Sequence, residues 1–266
     1  MQSGDGDDSL VGWGGDDLLE GGNGNGYFYS SIGNNLLYGD NGEDTLIGHF
    51  GNDTLNAGAS NDRLAGGKAS DVLRGDTGDD FLYGEDGNDL LFGGDGNDTL
   101  RGGANEDILE GGNGDDRLFG DRGHDVLEGD SGNDNLYGGL GRDTMLGGTN
   151  EDLLIGGEAD DQLFGNRGHD TLDGGTGNDT MVGGFGNNTF NFADDFGQDV
   201  IKDFDANSAN EIIDLSAVRE ITDLTDLINN HMSQVGADVV ITDGSNTITI
   251  EGVSLADMSD GDVFLF

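Results

Sequence analysis

GGDGNDTLRGGANEDILEGGNGDDRLF, residues 93–119, is three nine-residue units laid end to end. Numbering each unit from its first glycine, Asp stands at position 6 (Asp98, Asp107, Asp116) and Leu at position 8 (Leu100, Leu109, Leu118). Followed in both directions, the frame runs from Ser3 to Asn191 as 21 units without an insertion or deletion. Position 8 is Leu in seventeen of them and Phe28, Met145, Met181 or Phe190 in the rest. Position 6 is Asp in eighteen, the exceptions being Gly26, Asn35 and Asn188. Position 1 is Gly in eighteen units and position 4 in sixteen. Disordered low-complexity sequence does not hold phase over such a length, so the repeat is structural. A longer period lies over it: GGANEDILE (102–110) matches GGTNEDLLI (147–155), and GDRGHDVLE (120–128) matches GNRGHDTLD (165–173), the trace of a duplication.

Composition narrows the partners. The 266 residues include 53 Gly, no Pro and no Cys, and carry a formal charge of −45. Glycine at this density without a three-residue period points to turns at fixed intervals. The missing cysteines exclude a disulfide framework and thiol chemistry. Ten basic residues, scattered singly, exclude nucleic acid and anionic lipid, whose phosphates need Lys and Arg. Cations suit such a field. No apolar run reaches the 18 or so residues of a membrane span, and MQSGDGDDSL lacks the charged-then-apolar pattern of a cleaved secretory signal.

The nonapeptide has a direct physical reading. Glycine reaches positive φ without penalty, so positions 1, 2 and 4 allow a tight turn. Asn105 and Asn150 at position 4 tolerate the same region; Ser60, Ala69 and Ala159 there are expected to be strained. Positions 7–9 form a short strand with position 8 facing inward. Two units make one coil, so alternate units stack into two parallel sheets around a column of leucines: an all-β, two-sheet solenoid. Position 6 then forms a column of carboxylates along each edge: Asp8, Asp17, Asp44, Asp53, Asp62, Asp71, Asp80, Asp89, Asp98, Asp107, Asp116, Asp125, Asp134, Asp143, Asp152, Asp161, Asp170 and Asp179. Stacked carboxylates need neutralising. Carboxylates and turn carbonyls are hard oxygens, and no Cys or His recurs, so calcium fits best. Turn chemistry alone would let Asn, Ser or Gly replace Asp freely.

The units resemble the RTX (repeats-in-toxin, hemolysin-type) nonapeptide, G-G-x-G-x-D-x-U-x with U apolar, over residues 3–191. The resemblance implies a right-handed parallel β-roll with calcium between turns two units apart. Each ion would be held by both position-6 aspartates and by carbonyls from positions 2 and 4 of one turn and 1 and 3 of the next. One such site would use Asp80 and Asp98 with the carbonyls of Asp76, Gly78, Gly93 and Asp95. Another, on the opposite edge, would use Asp89 and Asp107 with those of Glu85, Gly87, Gly102 and Ala104. Of nineteen gaps, fourteen offer two aspartates. Residues 21–38, GGNGNGYFYSSIGNNLLY, keep the apolar position 8 but lose both aspartates; they read as a decayed repeat, with Tyr27, Tyr29 and Tyr38 as an alternative contact patch.

Residues 192–266 leave the frame. DDFGQDVI (194–201) restarts it once, with Asp199 at position 6. Short strands are predicted at 199–204, 211–215, 237–242 and 247–252, the last two joined through DGSN as a hairpin. Ile221, Leu224, Leu227 and Ile228 predict one apolar face of a helix over about 222–233. A solenoid needs its open end covered, so this segment reads as a cap. FGQDVIKDF, EIIDLS and the ending Asp262, Val263, Phe264, Leu265, Phe266 resemble the C-terminal region of RTX proteins. That likeness implies an uncleaved signal read by a type I secretion machinery and an extracellular destination.

The sequence carries no catalytic constellation. No H-E-x-x-H exists, and His49, His124 and His169 occupy repeat positions while His231 stands alone. No G-x-S-x-G elbow, P-loop or EF-hand loop is present. The reading is a calcium-binding secreted module that folds on meeting extracellular calcium. Two alternatives stay open. One is the C-terminal portion of a secreted enzyme (serralysin-like metalloprotease, lipase or alginate epimerase), since the repeats begin at residue 3. The other is recognition of a surface glycan or protein by the outward stripe Tyr29, Ile47, Tyr83, Phe119, Tyr137, Ile155.

Overall fold

The structure is a computed structural model and describes residues 1–206, 211–258 and 263–266. Two compact units are distinguished, Met1–Asn135 and Leu136–Phe266. In the first, strands alternate between two parallel sheets: one runs from Gln2–Asp5 through every second strand to Val126–Ser131, the other from Ser9–Val11 to Arg117–Arg122. Registers repeat every eighteen residues, Leu90 pairing with Ile108 and Leu91 with Leu109, so one coil is two nonapeptides. Tyr38 lies on the opposite sheet from Tyr27 and Tyr29 and does not cluster with them. Within this unit, Tyr29, Ile47, Tyr83 and Phe119 of the outward stripe share one sheet but are interrupted, Ala65 following Ile47 and Arg101 separating Tyr83 from Phe119.

The strands are longer than three residues. Leu90–Asp95 is typical: it continues through positions 1–3 of the next unit, with both position 8 (Leu91) and position 1 (Gly93) facing inward. The leucine column is sealed, Leu73, Leu82, Leu91 and Leu100 being wholly buried. Glycine at position 1 therefore has a different cause from the one the sequence suggests. Its backbone is not left-handed; instead a Cβ on Gly93 would collide with the Asp98 carboxylate and lie 2.5 Å from the carbonyl oxygen of Gly111. Positive φ belongs to positions 2 and 4. Ser60 (φ 93°), Ala69 (φ 79°) and Ala159 (φ 83°) adopt it at position 4, as Asn105 and Asn150 do. At position 2 so do Asp40, His49, Asp76 and Glu85. Each such non-Gly residue is strained, and the stacked neighbours on either side hold it there.

In the second unit the repeat runs on and then changes. Thr180 pairs with Val200 rather than with a residue eighteen further on, so the two-residue slip after Asn191 is absorbed before Gln198–Ile201. The strands Gln198–Ile201, Ile212–Ala217, Asp238–Asp243 and Asn246–Ile250 answer the four expected, the first ending three residues early. The last two form the antiparallel hairpin through Gly244 and Ser245. The helix is shorter than expected. Asp223 caps Leu224–Asp226, and one wide π turn, Leu227–His231, gives way to a further strand, Met232–Val235. The wide turn spoils the 3.6-residue spacing: Ile221 and Leu227 are buried, but Ile228 turns out to solvent. Phe264–Leu265 adds to the sheet beside Ile213 and Asp214, with Val263 and Phe264 buried. Asp262 lies outside the described residues. Among the described residues no helix is long and apolar enough to cross a membrane.

Gly93→Ala is expected to cost about 1–3 kcal/mol, the usual range for overpacking a tight interior, read as a lower thermal midpoint in excess calcium. An unchanged midpoint would show that position 1 tolerates a side chain.

Candidate metal centre

From Asp44 to Asp116, each position-6 aspartate does two different things with its two oxygens. Oδ1 accepts the backbone N–H of the position-6 residue two units earlier: Asp62 donates to Asp80 (2.7 Å), Asp80 to Asp98 (2.8 Å) and Asp98 to Asp116 (2.7 Å). The other edge repeats it, Asp71 donating to Asp89 (2.7 Å) and Asp89 to Asp107 (2.8 Å). Oδ2 is the opposite case. In the first unit the Oδ2 atoms of Asp44, Asp53, Asp62, Asp71, Asp80, Asp89, Asp98, Asp107 and Asp116 are buried with no hydrogen-bond partner among the described residues, as are those of Asp161, Asp170 and Asp179 in the second. A buried acceptor left unsatisfied costs about 1–3 kcal/mol, more if charged. A regular column of them is a demand for something that accepts lone pairs.

The turn backbone supplies further oxygens at the same places. A Cβ on Gly75 would clash with Asp80 Oδ2 and sit 2.6 Å from the Gly93 carbonyl oxygen, so these two oxygens converge beside one glycine Cα. Gly84 shows the same convergence of Asp89 Oδ2 with the Gly102 carbonyl, at 2.6 Å. Asp76 and Glu85 take the left-handed turn conformation. The Asp95 carbonyl accepts the Gly78 N–H (2.8 Å) and the Ala104 carbonyl the Gly87 N–H (3.1 Å), which stitches positions 3 and 4 of successive coils together. Among the described residues no three His, Cys, Asp or Glu side chains gather as a metal-holding group. What the turns offer is one carboxylate per turn with backbone carbonyls around it, an all-oxygen donor set suited to a hard cation.

The ends of the columns differ. Asp8 and Asp17 are half-buried, and Asp17 donates to Asn35 Oδ1 (3.0 Å) instead of to a carboxylate. Asp125, Asp134, Asp143 and Asp152 are buried like their neighbours. Asp199 continues one edge across the slipped register by accepting the Asp179 N–H at 2.9 Å. On the other edge Asn188 accepts from Asp170 (3.0 Å) and donates to the buried Glu211 (3.4 Å), a carboxylate that the nine-residue frame does not reach. A second ladder also escaped the sequence reading. At position 5, Asn97 N–H donates to Asp79 (2.8 Å) and Asp115 N–H to Asn97 (2.8 Å), in the opposite direction to the inner ladder. Its signal was the frequency of Asn and Asp at position 5.

Burial dominates the electrostatics. Desolvation lifts the carboxyls of Asp62, Asp71, Asp107 and Asp116 to about 8, and that of Asp80 to about 7. The backbone N–H bond pulls the other way, and the like charges stacked above and below add to the rise. Asp89 and Asp98 reach about 6, and Asp199 about 8. Without a cation the groups at about 8 keep their protons at neutral pH, while Asp89 and Asp98, at about 6, give most of theirs up.

Parallel coils of nonapeptides with buried carboxylates and carbonyls converging at their turns define a cation-binding β-solenoid. The chain belongs to the RTX calcium-binding nonapeptide repeat family: its four-copy repeat matches residues 1–28, 29–64, 56–91, 65–100, 92–127, 119–154 and 155–190. RTX repeats bind calcium, and this chain is a calcium-binding module. No curated protein matches it. Fourteen solved chains do. One is the extracellular lipase LipA from Serratia marcescens, 21% identical over 82% of this chain and 40% of the lipase, with a TM-score of 0.31. The chain thus spans less than half the length of that lipase, and the fold assignment rests on the strand pairings alone.

The raised carboxyls set a pH dependence. A group whose folded pKa lies above its unfolded value near 4 favours the fold at low pH, and that advantage is lost as pH rises through 6–8. In chelator, folded β-structure should therefore decline between pH 5 and pH 8.5. In excess calcium the order should invert, because protons and the ion compete for the same oxygens. Circular dichroism at both ends of the range decides; a chelated protein that gains structure with rising pH contradicts the assignment.

Proposed function

We propose that calcium creates this fold and that the module is exported unfolded, through its C-terminal segment, to meet calcium outside the cell. The observation behind it is the column of buried Oδ2 atoms from Asp44 to Asp116, acceptors that no donor among the described residues reaches. Asp80 and Asp98 would hold one ion together with the carbonyls of Asp76, Gly78, Gly93 and Asp95, and Asp89 and Asp107 the next on the opposite edge. The ion supplies positive charge that a chain of net charge −45 lacks. Such a site exists only when two coils are stacked, so its binding free energy is folding free energy. Extracellular calcium modules bind at about 10⁻⁴–10⁻³ M, well above cytosolic levels. Inside a cell the repeats stay open for threading; outside they close. The segment after residue 192 caps the coils and carries the address read by a type I machinery.

Circular dichroism through a calcium titration should show β-structure appearing cooperatively, with Asp98→Ala moving the midpoint several-fold higher. Full β-structure in excess chelator at pH 8.5, where the buried carboxyls no longer keep their protons, would mean that calcium only decorates a fold already formed. For export, Leu265→Ser with Phe266→Ser changes two exposed side chains. Secretion should fall while the calcium midpoint stays put; undiminished secretion argues against an address at this end.

A further inference from the structure

One gap between coils is built differently from its neighbours. In an ordinary gap, such as Asp80 to Asp98, position 1 is Gly, position 6 is Asp, and among the described residues no side chain donates to the carbonyls of Gly78 or Gly93. In the gap from Asn35 to Asp53, position 1 of the lower unit is Ser30 and position 6 is Asn35, both buried to 3% exposure or less. The Asn35 amide orientation is fixed because its Oδ1 accepts the Asp17 N–H at 3.0 Å. Its Nδ2 therefore faces the other way, donating to Asp53 Oδ1 (2.8 Å) and to the carbonyl of Gly33 (3.0 Å). The Ser30 hydroxyl donates to the carbonyl of Gly48 at 2.9 Å. Gly33 is position 4 of its turn, Gly48 is position 1 of the next, and Asp53 is position 6. These are the oxygen types that the calcium reading assigns to a cation.

We infer that the Asn35–Asp53 gap is a cation site rebuilt as a hydrogen-bonded lock, in which the Asn35 amide and the Ser30 hydroxyl occupy oxygens that calcium takes elsewhere. The inference rests on the reading that two-aspartate gaps hold calcium. Three hydrogen bonds from two uncharged side chains replace a divalent ion at a place where the two aspartates have become one. The surroundings agree with a loss of cation dependence: residues 21–39 contain no charged side chain in a chain of net charge −45. Serine at position 1 occurs only twice in the frame, at Ser3 and Ser30. Ser3 repeats the device, donating its hydroxyl to the Gly21 carbonyl at the gap where Asp8 faces Gly26 instead of a second carboxylate. Of the five units whose forward gap lacks an aspartate pair, two carry serine at position 1, and the other three keep Gly12, Gly21 and Gly165 there. Residues 30–38 are then a working lock in place of a degenerate repeat.

The test uses the full chain, with calcium as the only probe. Ser30→Gly combined with Asn35→Asp restores two aspartates to both gaps that Asn35 borders, since Asp17 lies below it and Asp53 above. Equilibrium dialysis with metal analysis should find two more ions bound than in the unaltered protein; an unchanged number overturns the inference. Asn35→Ala in calcium-loaded protein should lower the thermal midpoint by several degrees with the calcium number unchanged. Loss of bound calcium in that variant, or no loss of stability, also overturns it. Should the unaltered protein bind no calcium at all, the reading of the two-aspartate gaps fails, and the stability of Asn35→Ala still judges the lock by itself.

Discussion

The structure depends on a carboxylate placed where water does not reach and given only half of its hydrogen bonds. From Asp44 to Asp116, Oδ1 of each position-6 aspartate caps the turn below it, and Oδ2 finds no donor among the described residues. The first bond sets the spacing of successive turns, and the second oxygen makes that spacing conditional. Left alone, the carboxyl takes up a proton, because burial costs an ion more than it costs a neutral acid. Given a divalent cation, it stays ionised and the stacked charges cease to repel. One side chain therefore serves as turn cap, electrostatic strain and ligand.

The glycines follow from that carboxylate. Position 1 packs its backbone against the bare oxygen, which is why a Cβ there is excluded although the backbone conformation is ordinary. Positions 2 and 4 turn the chain through the left-handed region, and there Asp, Glu, Asn, Ser and even Ala are accepted at some cost. The two kinds of glycine look identical in the sequence. Only the close approach to Asp98 at Gly93 tells them apart, and that contact is made by a residue five positions later in the same unit.

Much was legible because a strict repeat makes one unit's physics the physics of all. The phase of Leu100 and Asp98 was enough for the parallel coils, the sealed leucine column and the two edges of carboxylates. What escaped depends on contacts between units or on broken phase. Glu211 replaces an aspartate across an irregular connection, which no nine-residue count could reach. The ladder at position 5 is carried by Asn and Asp alike, so it reads as turn composition. The helix near 224 was set by apolar spacing, and a single wide turn rotated Ile228 out of line. Asn35 and Ser30 looked like losses because the sequence shows which ligand is missing but not which donor has taken its place.

The eighteen-residue coil has a further consequence for how such a chain can change length. A gain or loss of eighteen residues adds or removes one coil and leaves every later strand on its own sheet. A change of nine keeps the leucines inward and the aspartates at the edges, so the fold survives. Everything beyond it, however, moves to the other face. The 45-residue echo between GGANEDILE and GGTNEDLLI is five units, an odd number. Growth by that block is thus neutral to the core while exchanging front for back, a way for a solenoid to shuffle its exterior without touching the chemistry that holds it together.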